Sequence, residues 1–306
     1  SCLLGREVRF DGGHKHDRFL TGHLGEYVEW VPVCPEVESG LPIPRPSMRL
    51  LESADGVRMI DPKSGEDHTA RLERYSTRRI RELRKLDLSG YIFKKDSPSC
   101  GVFRVKLSGE QGMPRRAGRG LFAEALIRAF PYLPVEEEGR LQDAGLREGF
   151  IERIFAYRRL RELFAGRWTN GDVVKFHTAH KLQVMAHSNE SYRELGRHVA
   201  EIKPTPRAAV RDAYEEAFTR ALAIRATRAK ATNAFQHAAG HLKQALDSAA
   251  RTELAELIHD YRTGLVPLVV PITLLRHHVR AQGVSYLQGQ TFLEPHPREL
   301  MLRNHV

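Results

Sequence analysis

Cysteine is scarce in this chain, and the scarcity excludes one large class of proteins. Only three cysteines occur among 306 residues, and no two of them form a CxxC pair. A small, odd number of cysteines argues against a secreted scaffold that disulfides hold together. We therefore expect a reducing, cytoplasmic location and no disulfide-linked partner.

Long hydrophobic runs are also missing. The longest apolar stretch covers residues 265–275 and contains Pro267 and Pro271, whereas a membrane-spanning helix needs about 20 apolar residues. No membrane span is expected. Hydrophobic residues make up 41% of the chain and charged residues 28%, which is ordinary for a globular protein long enough for two domains.

Positive charge is in excess. Lys and Arg number 48 against 38 Asp and Glu, a formal net charge of +10. Residues 1–140 carry 24 basic and 21 acidic side chains, a net charge near +3. Residues 141–306 carry 24 basic and 17 acidic side chains, a net charge near +7. Such an excess favours a polyanionic partner such as nucleic acid. A basic surface that binds nothing is the alternative.

Strand and helix signals alternate over residues 1–140, which predicts an α/β domain with a small sheet flanked by helices. The predicted strands are 27–33, 57–60, 91–93 and 102–107, and the predicted helices run from Asp67 or Thr69 to about Leu88 and over 121–130. Residues 131–149 are a charged connection. Beyond them, residues 150–306 are rich in Ala and Leu with apolar residues three and four apart, which predicts an all-α domain. The predicted helices are 150–164, 172–187, 191–199, 206–232 and 252–262.

The three cysteines lie in similar surroundings. Cys100 follows the predicted strand 91–93 after a turn marked by Ser97-Pro98 and Gly101, so we expect it on a loop at the carboxyl end of a strand. Cys2 and Cys34 each lie beside a short apolar run followed by turn residues. The pattern predicts that the three thiols meet in one site at a sheet edge.

Four interpretations of these thiols remain open on spacing alone. They are three buried small hydrophobes, a disulfide with one spare thiol, a zinc site that His14 completes, or an iron–sulfur cluster. In the last case three thiolates on a 4Fe–4S cube leave one iron open to a soft donor such as a thiocarbonyl sulfur. Glu36 and Ser99 then stand where a base and a proton relay are needed. A solvated loop acid and a turn-capping hydroxyl are the alternatives for these two residues.

Five short motifs occur in one order before residue 140. They are Cys2-Leu3-Leu4-Gly5, Asp11-Gly12-Gly13-His14-Lys15, Cys34-Pro35-Glu36-Val37, Gly40-Leu41-Pro42-Ile43-Pro44-Arg45-Pro46 and Ser97-Pro98-Ser99-Cys100-Gly101. Together they resemble the motifs of the thiouracil desulfidase (TudS-like) family. The strand expected before Cys2 in that family is absent from this sequence.

The resemblance implies a 4Fe–4S cluster with three cysteine ligands, Cys2, Cys34 and Cys100, and one open iron that takes the sulfur of a thio-base. It implies that water then replaces sulfur at carbon without net redox change. It assigns Glu36 as the acid/base residue and Ser99 as its partner. The expected substrate-binding residues are Asp11, His14, Lys15, Lys94 and Ser97.

The carboxyl-terminal half resembles a second family. The segment from Lys175 to Lys181, with His187, Asn233, His237, Gly240 and the prolines near 267, 271 and 295, is similar to the YbgA-type helical domain. Fusions of the two domains resemble the RudS desulfidases, which act on 4-thiouridine in tRNA. The resemblance implies a tRNA partner and an RNA-binding helical domain over residues 150–306.

Eight basic or histidine side chains are the candidates for contact with RNA phosphates. They are Arg115, Arg116, Arg119, Lys175, His177, Lys181, Arg225 and Arg228. A solvated helix face or hairpin tip is the alternative for each of them. The expected function is thus an iron–sulfur-dependent tRNA 4-thiouridine desulfidase. The alternatives are a desulfidase of free thiouracil or thionucleosides and a non-catalytic RNA-binding protein with a structural metal.

Overall fold

The computed structural model describes residues 1–109 and 113–306, and these fall into two compact units, residues 1–142 and 143–306. The first unit begins with a short 3-10 turn, Cys2–Leu4. Its strands are β1 (Arg49–Ser53), β2 (Gly56–Ile60), β3 (Tyr91–Phe93), β4 (Val105–Ser108), β5 (Arg115–Gly118) and β6 (Val135–Glu137). Its helices are α1 (Pro35–Glu38), α2 (Thr69–Leu83) and α3 (Leu121–Ala129).

Two small sheets form in the first unit. The larger has the strand order β2-β1-β4-β5, with β1 parallel to β4 and the other two pairs antiparallel. The smaller is the parallel pair of β3 and β6, in which Phe93 lies opposite Glu137. Helices α2 and α3 pack against each other, and Leu72, Phe93 and Phe122 are buried there. The predicted small sheet flanked by helices is confirmed.

The second unit is helical. Its helices are α4 (Ala144–Phe164), α5 (Asn170–His187), α6 (Asn189–Ala200), α7 (Arg207–Ala223), α8 (Arg228–Leu242), α9 (Ser248–Thr263), α10 (Val269–Ala281) and α11 (Ser285–Gln288). Helix α5 packs against α6, α7 and α8. Phe218 and Phe235 are each fully buried, in separate hydrophobic clusters. No helix among the described residues combines the length and apolar character that crossing a membrane requires.

Several predicted elements differ from the structure. Residues 28–34 form neither helix nor strand, because Pro32 lacks the N–H that a ladder needs. Helix α2 ends at Leu83 rather than near residue 88, and Asp87 has a left-handed φ of 46°. The segment 206–232 is two helices, since Thr227 caps α8 by accepting the Lys230 N–H.

Candidate active site

The Cys100 loop is built by hydrogen bonds within residues 97–101. The Ser97 hydroxyl accepts the N–H groups of Ser99 (3.3 Å) and Cys100 (3.1 Å), and the Gly101 N–H donates to the Ser97 carbonyl at 2.8 Å. This is the local turn that serine favours. The loop follows β3, so the predicted position of Cys100 after a strand is confirmed.

Two glycines let neighbouring elements approach this loop, Gly120 at the start of α3 and Gly101 beside Val105 of β4. A Cβ on Gly120 would lie 2.5 Å from the Ser99 carbonyl, and one on Gly101 would lie 2.4 Å from a Val105 methyl group. The close approach allows the Ser99 carbonyl to accept the N–H groups of Phe122 (3.0 Å) and Ala123 (3.2 Å). The loop thereby satisfies N–H groups that the start of α3 would otherwise leave unpaired.

Cys34 is the residue immediately before α1, and Pro35 at the first helical position suits that start. The Cys34 N–H donates to Glu38 Oε1 at 2.6 Å, and Tyr75 donates its hydroxyl to Glu38 Oε2 at 2.7 Å. Glu38 therefore ties Cys34 to helix α2. Glu38 was not predicted from the sequence.

Cys2 lies in the first 3-10 turn. Its carbonyl accepts the Lys15 N–H at 3.0 Å, and the nitrogen of the preceding Ser1 donates to the Val33 carbonyl at 3.0 Å. The second bond links the Cys2 segment to the residue before Cys34. Neither Cys2 nor Cys34 follows a strand, so the prediction that all three thiols lie at a sheet edge was wrong in its detail.

The three thiols are free and half-buried. Burial raises the pKa of the Cys100 thiol, and negative charge on Glu36, Cys34 and Cys2 raises it further, against a lowering by the Ser99 hydroxyl. Burial also raises the pKa of Cys34. Charge on Glu36, Cys34 or Cys2 therefore acts on the Cys100 thiol.

Three cysteine thiolates are a donor set of the kind that holds iron–sulfur clusters. Within residues 1–109 and 113–306, no three His, Cys, Asp or Glu side chains converge closely enough to hold one metal ion. His14, the proposed fourth zinc ligand, is exposed and its Nδ1 accepts the His16 N–H at 3.2 Å. A cube binds each thiolate through a different iron, so its ligands need not converge on one point.

Glu36 and Ser99 lie together beside Cys100. Ser99 is 1% exposed and donates its hydroxyl to Glu36 Oε1 at 2.6 Å, while its oxygen lies 3.6 Å from the Cys100 sulfur. The Ser97 hydroxyl lies 3.0 Å from that of Ser99 and 3.5 Å from Glu36 Oε1. A carboxylate and two hydroxyls so arranged can pass a proton along a chain of hydrogen bonds.

Arg45 fixes the orientation of Glu36 from the other side. Its Nε and Nη2 donate to Glu36 Oε2 at 2.8 and 2.5 Å, and Nη2 also donates to the Val8 carbonyl at 3.1 Å. Both side chains are buried. Because Arg45 occupies Oε2, the carboxylate presents Oε1 to the serines. The sequence signal for this role is a charged residue in a proline-rich loop.

Two buried glutamates hold the chain on either side of the Cys100 loop. Glu138 Oε2 accepts the Lys95 N–H at 2.8 Å, upstream of the loop. Glu137 Oε1 accepts the N–H groups of Val102 (2.6 Å) and Phe103 (3.0 Å), downstream of it. The segment 131–149 that contains these glutamates looks like a linker in the sequence.

Glu137→Ala is expected to lower the free energy of unfolding by about 2–4 kcal/mol, because two N–H groups lose their acceptor and a buried unpaired donor costs about 1–3 kcal/mol. Urea unfolding measures the change. The matched control is Glu124→Ala, which removes an exposed carboxylate from α3 and should cost less than about 1 kcal/mol. Equal losses of unfolding free energy in the two variants would contradict the prediction that Glu137 stabilises the chain beside the Cys100 loop.

The predicted substrate-binding residues divide into two groups. Ser97 lies in the site, as described above. The Lys94 ammonium forms an ion pair with Glu138 at 2.6 Å, and Asp11 forms one with Arg9 at 3.2 Å. His14 and Lys15 are exposed, and the described contacts do not connect their side chains to Glu36 or Ser99.

The predicted RNA-binding residues of the first unit are exposed but already paired with acids. Their partners are Glu52 for Arg115 (2.6 Å), Asp96 for Arg116 (3.2 Å) and Glu124 for Arg119 (2.8 Å). In the second unit Lys175, Arg225 and Arg228 are exposed, and Arg225 forms an ion pair with Asp143 at 4.0 Å. Lys181 lies over the Tyr286 ring at 4.6 Å and Arg228 over the Tyr261 ring at 5.7 Å.

His177 is different, because its ring is buried and its Nδ1 lies 3.2 Å from the Tyr214 hydroxyl. Neighbouring His180 is 3% exposed; its Nδ1 donates to the Phe176 carbonyl at 2.8 Å, and its Nε2 accepts from Arg159 Nε at 3.0 Å. Burial lowers the pKa of His177 to about 4 and that of His180 to about 3. A buried, neutral imidazole cannot contact a phosphate, so His177 is not proposed as an RNA-binding residue.

These two histidines make the chain sensitive to acid. Their folded pKa values lie below the ordinary 6.5, so the stability they provide is present above pH 6.5 and is lost as pH falls towards 4 and 3. The free energy of unfolding should fall by a few kcal/mol between pH 7 and pH 4. Urea unfolding at pH 7 and at pH 4 measures this loss of stability. His180→Gln should reduce the loss, and the exposed control His259→Gln should not. An equal loss of unfolding free energy in the wild type and in His180→Gln would contradict the prediction.

Comparisons with known proteins bear on both units. Residues 1–138 match a family described as 2-thiouracil desulfurase, and residues 181–297 match DUF1722, a family described as of unknown function. A solved structure described as a [4Fe-4S]-dependent thiouracil desulfidase, TudS, is 30% identical. That match covers 49% of this chain and 95% of TudS, with a TM-score of 0.40.

Two curated relatives are described as uncharacterized proteins. YbgA of Escherichia coli K12 is 33% identical over 155 residues, which is 50% of this chain and 90% of YbgA. YbbK of Bacillus subtilis 168 is 28% identical over 145 residues, 45% of this chain and 92% of YbbK. The resemblances to the desulfidase family and to YbgA are confirmed. The chain belongs to the family of YbgA, and its residues 1–138 are a 2-thiouracil desulfurase domain.

Proposed function

We propose that this protein is an iron–sulfur-dependent, redox-neutral desulfidase that converts 4-thiouridine in tRNA to uridine and releases sulfide. The observation that carries the proposal is the Glu36–Ser99 hydrogen bond of 2.6 Å beside Cys100, within a desulfurase domain. We place the protein in the cytoplasm, where thiols stay reduced.

Cys2, Cys34 and Cys100 would hold a 4Fe–4S cluster. When bound, the cluster supplies an iron that lacks a protein ligand and attracts a soft sulfur donor. Glu36 accepts a proton from the water that attacks the C=S carbon, and Ser99 relays that proton towards the substrate. Carbon exchanges sulfur for oxygen, sulfur leaves as sulfide, and no net oxidation occurs.

Arg45 and Ser97 act by positioning. Arg45 holds Glu36 Oε2, so the rotation of the carboxylate is restricted and Oε1 stays on Ser99. Ser97 orders the loop through the Cys100 N–H and keeps its hydroxyl beside that of Ser99. Such preorganisation keeps the proton path aligned before substrate binds.

Two observations support tRNA as the substrate. They are the fusion of the desulfurase domain to the helical unit and the net positive charge of the chain. The net charge of +10 suits a polyanion. Lys175, Arg225 and Arg228 are exposed and can contact phosphates, Arg225 by exchanging its ion pair with Asp143. The family description as 2-thiouracil desulfurase favours a second candidate function, in which the substrate is the free base.

Parallel incubations separate the two candidates. Cluster-loaded protein is mixed with tRNA that contains 4-thiouridine and, separately, with free 2-thiouracil and free 4-thiouracil, and products are measured by nucleoside analysis and sulfide assay. Loss of 4-thiouridine with matching uridine and sulfide supports the proposal. Turnover of the free bases alone supports the second candidate, and no turnover of any substrate excludes both.

A further inference from the structure

Helix α2 carries a row of arginines along its exposed side. The α2 arginine row consists of Arg71, Arg74, Arg78 and Arg81, whose spacings of three and four place them on one helix face. Leu72, Tyr75 and Leu83 are the buried residues that hold the opposite side on the core. The row spans about 15 Å at 1.5 Å per residue. The helix contains five arginines and two glutamates, a net charge of +3.

The row has no internal counter-charge. Among the residues that the structure describes, no acidic side chain forms an ion pair with any of the four. Arg71 Nη1 donates to the Gly40 carbonyl at 3.3 Å, and the Arg78 guanidinium lies 5.8 Å from the centre of the Tyr75 ring. By contrast, Arg79 on the same helix forms ion pairs with Glu38 and Glu82. Like charges three and four residues apart repel each other, so an anion bound along the row would relieve that repulsion.

One end of the row lies next to the candidate active site. Gly40, whose carbonyl Arg71 contacts, follows α1 by two residues, and α1 contains Glu36. Helices α1 and α2 are also joined by the Tyr75–Glu38 hydrogen bond. A chain of phosphates on the row would therefore run up to the segment that carries Glu36 and Cys34.

We propose that the α2 arginine row binds the phosphate backbone of the RNA substrate next to the reacting nucleotide. The proposal rests on the proposed function, and it assigns RNA contacts to the catalytic unit in addition to the helical one. Arginine suits this role because its planar guanidinium can donate two parallel hydrogen bonds to one phosphate. The row reads no sequence, since phosphate contacts position the nucleic acid without specifying bases.

The test measures binding of the cluster-loaded full chain to fluorescently labelled, 4-thiouridine-containing tRNA across a range of salt concentrations. Arg74→Gln/Arg78→Gln/Arg81→Gln should weaken binding by about tenfold or more and lower the slope of log affinity against log salt by about two to three. The same three positions changed to lysine should retain most of the slope, because the charge is kept.

The matched control removes three exposed charges elsewhere in the same unit, with Lys63, Arg104 and Lys106 changed to glutamine. It should bind more tightly than the triple arginine variant. If wild type binds tRNA and the triple arginine variant matches it in affinity and slope, the row proposal is overturned and the proposed function stands. If wild type does not bind tRNA, both fail. Loss of binding to anionic lipid vesicles, with tRNA binding unchanged, would assign the row to a membrane surface and overturn the proposal.

Discussion

Replacing Glu36 with glutamine is expected to slow desulfidation by about 10²–10⁴-fold while the protein keeps its iron. The range is what a positioned acid/base group contributes to a rate. Glutamine preserves the size of the side chain, and its amide oxygen can replace Oε2 as the acceptor for Arg45. The NH2 group that then replaces Oε1 beside Ser99 cannot take a proton from water. Single-turnover rates with a thio-base and iron analysis of the same sample measure both quantities.

The matched control for Glu36 is Glu66→Gln, an exposed carboxylate in the same unit. It should leave the rate within about twofold, because exposed side chains far from a site contribute little. A Glu36→Gln protein that turns over at the wild-type rate with full iron would remove Glu36 from the chemistry. Loss of iron together with rate would instead make Glu36 a support for the cluster.

Each single change of Cys2, Cys34 or Cys100 to alanine is expected to abolish the stable binding of iron and reduce turnover to background. Three thiolates are the whole proposed protein ligand set, and the sequence contains no fourth cysteine as a replacement. Two remaining thiolates would leave the cube exposed to loss and oxidation. Iron content, visible absorbance and turnover of the three variants measure the effect.

Ser99→Ala is the matched control for the cysteine series, because it changes the same loop without removing a thiol. It should keep its iron and its absorbance while turnover falls. A Cys100→Ala protein that still holds as much iron as wild type would contradict the proposed ligand set. If Ser99→Ala loses as much iron as the cysteine variants, then any change in the loop releases iron.

The sequence predicted the Cys100 loop because every signal there is local. Tyr91–Phe93 is apolar and forms a strand, Ser97-Pro98 marks a turn, and Gly101 sits where a Cβ would clash. The link between Glu36 and Ser99 joins positions 63 residues apart. The positions of Glu36 beside Cys34 and of Ser99 beside Cys100 suggested a shared site, and the family resemblance supported it.

Other parts of the site depend on three-dimensional context. Arg45 reaches Glu36 through the path of a proline-rich loop, which periodicity does not encode. The consecutive glutamates 136–138 have the composition of a linker, yet all three are buried because they accept N–H groups or pair with basic side chains. Strand β1 was missed, since its pairing with β4 joins residues far apart in sequence.

His177 on α5 shows that residues sharing a helix face need not share exposure to solvent. His177 and Lys181 lie four residues apart and share a face, which suggested a common contact with RNA. Because α5 packs against α4, α6, α7 and α8, the side of the helix that carries the His177 ring is buried, whereas the longer Lys181 side chain is only partly buried. Exposure depended on neighbours that the local pattern does not reveal.

Iron and acid-labile sulfide per chain, measured on protein purified without oxygen, test most directly whether three thiols share one cluster. The account predicts about four iron atoms and about four sulfides per chain, with both lost in each cysteine variant and both kept in Ser99→Ala. One zinc per chain with no iron, or an iron content that the cysteine changes leave untouched, would contradict it.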